Sequence, residues 1–184
     1  AATNNGFAAV LALKCETDFV AKNADFIALT RSILDVALTT QPATLDELKD
    51  KTIGGQSIKD LVTERSGITG EKMELDYYEF VKGAYTVSYI HLGNKLATLI
   101  AFNKQADYQV ARDVAMQAAA MNPVSLDRES VPAKIIEKEL EIGREKAREE
   151  GKPENMLEKI AQGRLNKFYQ ESTLMEQSFI KDAK

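Results

Sequence analysis

Apolar side chains recur along this chain in two rhythms, one with the period of strands and one with that of helices. Phe7 to Leu13 is an unbroken apolar run that stops at Lys14, and it reads as a first strand over Phe7–Lys14. Phe19, Phe26, Leu29, Ile33, Leu34 and Val36 then return at roughly helical spacing, which predicts one helix over 17–39 with Thr17 as its N-cap and Gln41-Pro42 as its stop. A short capped helix follows over 44–48. Gly54-Gly55 breaks the chain, another short helix spans 57–65, and Gly67 and Gly70 close that region. In 73–82, Met73, Leu75 and Tyr77 alternate with polar residues before Tyr78 and Phe80, a strand pattern. The stretches 85–92 and 95–102 flank Gly93-Asn94 and predict an antiparallel hairpin. A helix over 107–121 places Val110, Val114, Ala115, Ala118 and Met121 on one face and stops at Asn122-Pro123.

The last third is patterned differently. Two charged helices, 132–150 and 154–169, are separated by Gly151-Lys152-Pro153. Ile136, Leu140, Gly143 and Ala147 are spaced 4, 3 and 4 apart, and Leu157, Ile160 or Ala161, Leu165 and Phe168 repeat that interval on the second helix. A narrow apolar seam with charge elsewhere predicts an antiparallel helical hairpin packed mainly on itself. Leu174, Phe179 and Ile180 are then expected to return apolar side chains to the body. These elements imply an α+β protein of two subdomains, 1–83 and 84–184, with small antiparallel sheets flanked by helices and the hairpin inserted at about 132–169.

Composition narrows the function classes. With 184 residues and 44% apolar side chains the chain can bury a real core. Its 28 acidic and 24 basic residues leave a net charge of −4, which argues against a nucleic-acid binder. A single cysteine, Cys15, excludes an internal disulfide and suits a reducing cytoplasm. No run is long enough for a membrane span, and no signal peptide is visible. The chain begins at Ala1 without an initiator Met and is expected to be part of a longer polypeptide.

Catalytic chemistry is sparse. His91 is the only histidine and Cys15 the only thiol; a Cys–His pair is formally open, but no local pattern marks an orienting residue. Zinc would have to rely largely on carboxylates, and neither G-x-x-x-x-G-K-[ST] nor G-x-G-x-x-G occurs. The expectation is a protein without metal, cofactor or enzymatic activity, with Cys15 a small hydrophobe at a strand end.

What remains is Lys14-Cys15-Glu16-Thr17-Asp18-Phe19-Val20-Ala21-Lys22-Asn23, where an acid and a large aromatic occupy the first turn of a helix projecting from a strand. This string resembles the signature of the bacterial translation elongation factor Ts family. Ser88-Tyr89-Ile90-His91 with Lys95-Leu96-Ala97-Thr98-Leu99-Ile100 is similar to the family's second hairpin, and Asp113 to Ala120 with Asn122-Pro123 to the helix after it. Gly151-Lys152-Pro153-Glu154-Asn155 and Glu158 to Phe168 resemble its coiled-coil hairpin. The four motifs stand in the family's order across nearly the whole chain.

The resemblance implies a guanine-nucleotide exchange factor whose partner is elongation factor Tu. It implies two core subdomains with an inserted coiled coil, and a chain representing the core without the family's small N-terminal helical domain and without the family's extreme C-terminus. Asp18 and Phe19 match the pair that inserts into the partner's nucleotide domain and disturbs the region of its bound magnesium. Gly70 matches a second contact loop, with the aliphatic residue one place earlier than usual, at Ile68. His91, with Leu92 beside it, matches a contact of the second subdomain, and Ile180 a contact near the chain end. A scaffold that binds partners through the charged helical hairpin is the alternative reading.

Overall fold

Asn5 and Gly6 fold the first residues back on themselves. Both have positive φ, 45° and 76°, the two-residue turn whose twist suits an antiparallel hairpin. The turn joins β1 (Ala2–Asn4) to β2 (Phe7–Lys14), with Asn4 opposite Phe7. This is a computed structural model that describes residues 1–182; Ala183 and Lys184, the end of the second expected subdomain, lie outside the described residues. β1 is absent from the sequence expectation, since Thr3 and Asn4 carry no apolar alternation.

Four helices and a small two-stranded ribbon lie between β2 and its other neighbour. The single helix expected over 17–39 is two: α1 (Asp18–Ala21) and α2 (Ala24–Thr40). Asn23 makes the break, because its side-chain oxygen accepts from the amides of Asp25 (2.9 Å) and Phe26 (3.3 Å) and so starts a second helix. Gln41 ends α2 in the left-handed conformation. α3 (Leu45–Asp50) begins in a shifted form of the capping box: Thr44 accepts from the Glu47 amide (3.1 Å), and the Glu47 carboxylate accepts from the amide of Ala43, one residue before the N-cap (2.7 Å). β3 (Thr52–Ile53) and β4 (Gln56–Ser57) pair around Gly54-Gly55, and α4 (Ile58–Thr69) runs to Gly70, longer than the 57–65 expected.

β5 (Glu74–Lys82) completes a three-stranded antiparallel sheet of order β1-β2-β5. The register slips between Ala12 and Leu13, which face Tyr77 and Leu75, so Asp76 is the extra residue of a bulge. Lys14 pairs with the Asp76 carboxylate and holds it below the usual carboxylate range. The bulge reverses which face later residues occupy: Leu75 and Tyr78 are buried, whereas Tyr77, aligned by simple alternation with Met73 and Leu75, is 49% exposed. The core beneath this sheet gathers Phe7, Ala9, Phe26, Ile33, Leu48, Ile58 and Leu75.

β6 (Tyr85–Ile90) and β7 (Ala97–Phe102) form the expected hairpin. α5 (Tyr108–Met121) follows, its start capped by the Asp107 carboxylate, which accepts from the amides of Gln109 and Val110. Its buried positions are Ala111, Ala115 and Gln117; Val110 and Met121, assigned to the apolar face from sequence, are 59% and 40% exposed. Alanine at 111 and 115 lets the helix approach Val87 and the Thr98 hydroxyl, which donates to the Ala115 carbonyl at 2.7 Å.

The chain divides into two compact units, Ala1–Met116 and Gln117–Lys184. This boundary differs from the 83/84 division read from sequence. The β6–β7 hairpin belongs to the first unit, where the Thr3 hydroxyl bonds the Thr86 carbonyl and the Gly83 amide donates to Gly6 at 2.9 Å.

The second unit is dominated by α6 (Ala133–Glu149) and α7 (Leu157–Ser172), linked by a short 3-10 turn (Glu154–Met156). Gly143, Ala147, Leu157, Ala161 and Leu165 are buried along the expected seam. Ion pairs of Arg144 with Glu158 and of Arg148 with Glu154, each 2.7 Å, and of Arg164 with Glu150 at 2.6 Å tie the helices across their flanks. A Cβ on Gly143 would stand 3.0 Å from Ala161 Cα, so this position sets the closeness of the pair. Gly143→Leu is expected to wedge the helices apart and lower stability by about 2 kcal/mol, read as a drop in the urea midpoint; an unchanged midpoint would contradict this packing. Mixed helices and small antiparallel sheets make the protein α+β.

Candidate functional site

Thr17 is where strand becomes helix. Its backbone is extended (φ −121°, ψ 153°), and its hydroxyl oxygen accepts from the Val20 amide at 3.4 Å. In a capping box the residue at Val20's position would be an acid reaching back to the Thr17 amide. Valine cannot do this, and Glu71 supplies the carboxylate from 54 residues away. One Glu71 oxygen accepts from the amides of Thr17 (3.0 Å) and Glu16 (3.1 Å), and the other accepts from the Thr17 hydroxyl. These bonds, the hydroxyl's foremost, hold the Glu71 carboxyl below the usual carboxylate range. The clamp is therefore complete above the ordinary carboxylate pKa and is lost as pH falls through the depressed one.

Glu71 follows Gly70, and Gly70 caps α4 with φ 72°, donating to the Ser66 carbonyl at 3.0 Å. The left-handed turn at Gly70 thus delivers the carboxylate that fixes α1. Asp18, Phe19 and Gly70, chosen from sequence for separate contacts, meet at one place. Ile68, two residues before Gly70, is 65% exposed.

α1 is only four residues long and buries none of them. Phe19 is 90% exposed. An aromatic ring of that exposure contributes nothing to its own core, and it is presented on a backbone held at both ends: by Glu71 before it and by the Asn23 cap after it. Asp18 is not unpaired. Lys95 Nζ lies 3.3 Å from its carboxylate, reaching over from the β6–β7 turn. That turn is closed by the His91 amide donating to Leu96 (2.9 Å) and the Asn94 amide donating to His91 (3.1 Å), with Gly93 and Asn94 at positive φ. It carries Leu92 at 93% exposure and His91, whose Nδ1 is 2.9 Å from the Tyr89 hydroxyl. The first unit therefore links Asp18 and Phe19 to Gly70 through the Thr17–Glu71 bonds, and to the His91–Leu92 turn through Lys95.

Ile180 belongs to the second unit. Its amide donates to the side-chain oxygen of buried Gln117 at 2.8 Å, and the Gln117 amide group donates to the Ser178 carbonyl at 3.1 Å. Gln117, Glu71 and Lys95 all escaped the sequence reading. Only Glu71 left a signal, the missing acid of an incomplete capping box.

Cys15 is half-buried, and its thiol donates weakly to the Thr17 carbonyl. Burial pushes the thiol upward, with the neighbouring Glu71 charge adding to it, which suits a spectator rather than a nucleophile. Among the described residues, no group of three or more histidine, cysteine and acidic side chains is placed to hold a metal ion, and no helix is long and apolar enough to cross a membrane.

Comparison with known proteins gives a consistent result. The family model described as "Elongation factor TS" matches residues 16–184. The chain is similar to elongation factor Ts of Porphyromonas gingivalis, 57% identical over all of this chain and 67% of the relative. It is 55% identical to that of Azobacteroides pseudotrichonymphae, over all of this chain and 68% of the relative, and 51% identical to that of Amoebophilus asiaticus, over 95% and 64%.

Proposed function

The chain belongs to the elongation factor Ts family of translation elongation factors, and on that premise we propose that it is a cytoplasmic guanine-nucleotide exchange factor that promotes GDP release from elongation factor Tu. The observation that carries this reading is the exposed Phe19 ring on its clamped helix tip.

Exchange needs no covalent chemistry. It needs a protein that binds the nucleotide-empty partner more tightly than the loaded one, because linkage then weakens nucleotide by the same factor. Shifting a two-state equilibrium from almost wholly loaded to almost wholly empty takes a ~10⁴-fold differential affinity, about 5.5 kcal/mol. A rigid aromatic anchor entering a desolvated pocket is the kind of group that supplies a large share of such energy. Asp18 adds a carboxylate that competes for donors near the partner's magnesium. Its pairing with Lys95 is solvent-exposed on both sides, so it is exchanged at little cost when a partner approaches. We assign Gly70 to the flank of this contact, His91 and Leu92 to a contact with another domain of the partner, and Ile180 to a further one, with 1–83 and 84–184 as the two recognition halves.

We read α6 and α7 as an antiparallel coiled-coil hairpin, supported by their seam and cross-helix ion pairs. Its seam side chains are buried within it, which favours the α1 tip over the hairpin as the exchange element.

The test is release of a fluorescent GDP analogue from elongation factor Tu. The rate is expected to rise and saturate with added chain. A rate independent of the chain would overturn the proposal.

A further inference from the structure

We propose that Glu71 is a positioning residue for exchange: it completes the N-cap of α1 from the neighbouring loop and so holds Phe19 in its presenting geometry before any partner arrives. This rests on the reading of the α1 tip as the exchange element.

The argument begins with what α1 lacks. A four-residue helix has almost no intrinsic stability, since the cost of nucleation is spread over a single turn. Of its side chains only Val20 packs against the core, and that one is half-buried; none is fully buried. Its own cap is weak, the Val20 amide lying 3.4 Å from the Thr17 hydroxyl. Three donors at and just before its N-cap, the amides of Glu16 and Thr17 and the Thr17 hydroxyl, converge on one carboxylate. Glu71 itself is anchored on both sides: the Ser66 hydroxyl donates to its carbonyl at 2.6 Å, and its amide donates to the Thr69 hydroxyl at 3.3 Å. The brace therefore belongs to the α4–β5 connection, and the aromatic tip is attached to it through Thr17. Removing the carboxylate leaves the fold's core untouched, because none of these groups is in it. It leaves α1 as a loop that must be ordered during binding.

Five proteins test this: the unaltered chain, Glu71→Ala, Glu71→Gln, Phe19→Ala and the Glu71→Ala/Phe19→Ala double variant. In ¹⁵N relaxation, amide order parameters over Asp18–Ala21 are expected near 0.85 in the unaltered chain and below about 0.6 in Glu71→Ala. In GDP release from elongation factor Tu, Glu71→Ala is expected to lower the maximal rate roughly tenfold, as when a short segment must be ordered in the insertion step that follows docking. The concentration for half-maximal effect should shift less than about threefold. The double variant should be no slower than Phe19→Ala, because the brace acts only through the ring. Glu71→Gln, which keeps one acceptor oxygen, should restore part of the rate. Unchanged order parameters in Glu71→Ala, or losses that multiply in the double variant, would overturn the proposal. If Phe19→Ala alone leaves exchange intact, the reading of the tip fails, while the relaxation data still decide whether Glu71 braces it.

Discussion

Phe19→Ala is expected to slow GDP release from elongation factor Tu by roughly 30- to 1,000-fold, the effect of losing an aromatic hot spot of about 2–4 kcal/mol. The same substitution should leave the melting temperature nearly unchanged. The ring is 90% exposed, so truncating it opens no cavity, and surface changes of that kind stay within about ±0.5 kcal/mol. That separation makes the experiment decisive. Most aromatic-to-alanine changes harm function and fold together, because the ring is also core; here the two are divided by position. Exchange at the unaltered rate would remove the ring from the mechanism. A large fall in melting temperature would mean that the ring packs where the structure leaves it open. Isotherms should show the loss mainly in the nucleotide-free complex, because an interaction made equally with loaded and empty partner could not drive release.

Why the tip could be found from sequence, and its brace could not, follows from the range of the interactions. Thr17 announces a helix start through its neighbours alone, and Asp18-Phe19 follow within one turn. The strand over Phe7–Lys14 and the turn at Gly93-Asn94 are equally local. So is the seam of α6 and α7, written in positions 136 to 165. Errors arise where a distant or single residue overrides the local rhythm. Asn23 cuts one apparent helix into two by capping, although the apolar spacing runs through it. Asp76 is inserted into β5 and turns Tyr77 outward, and no periodicity reveals an insertion of one residue. Val110 and Met121 fit the helical interval but are exposed, while the helix packs through the small side chains of Ala111 and Ala115. Glu71 is the extreme case: its partner lies 54 residues away, and the only trace is a valine where a capping box wants an acid.

Gly6→Ala should be the most damaging single-methyl change in the first unit. Two costs coincide there. Gly6 has φ 76°, a left-handed conformation that costs an L-residue about 1–2 kcal/mol. Its added Cβ would also stand 2.4 Å from the Gly83 carbonyl oxygen, a backbone atom that cannot rotate away. Gly83 cannot retreat either, because its own Cα faces the Phe102 carbonyl so closely that a Cβ there would lie at 2.8 Å. Overpacking of this kind adds about 1–3 kcal/mol. The sum, about 3 kcal/mol, is a large part of the 5–15 kcal/mol that typically holds a domain together. Gly54→Ala is the matched control: φ is 63°, and nothing lies within 4 Å of the added methyl. Urea titration should therefore show a loss of about 1 kcal/mol for Gly54→Ala, the conformational cost alone, and roughly three times that for Gly6→Ala. Equal losses would mean that the crossing of Gly6, Gly83 and Phe102 is looser than its geometry indicates. The consequence reaches the site, because β2 runs from this turn to Lys14 and delivers Thr17 three residues later. A variant that shifts the β1–β2 turn should blunt exchange by unfolding at moderate temperature, with activity recovering on cooling, whereas Phe19→Ala should remain deficient at every temperature.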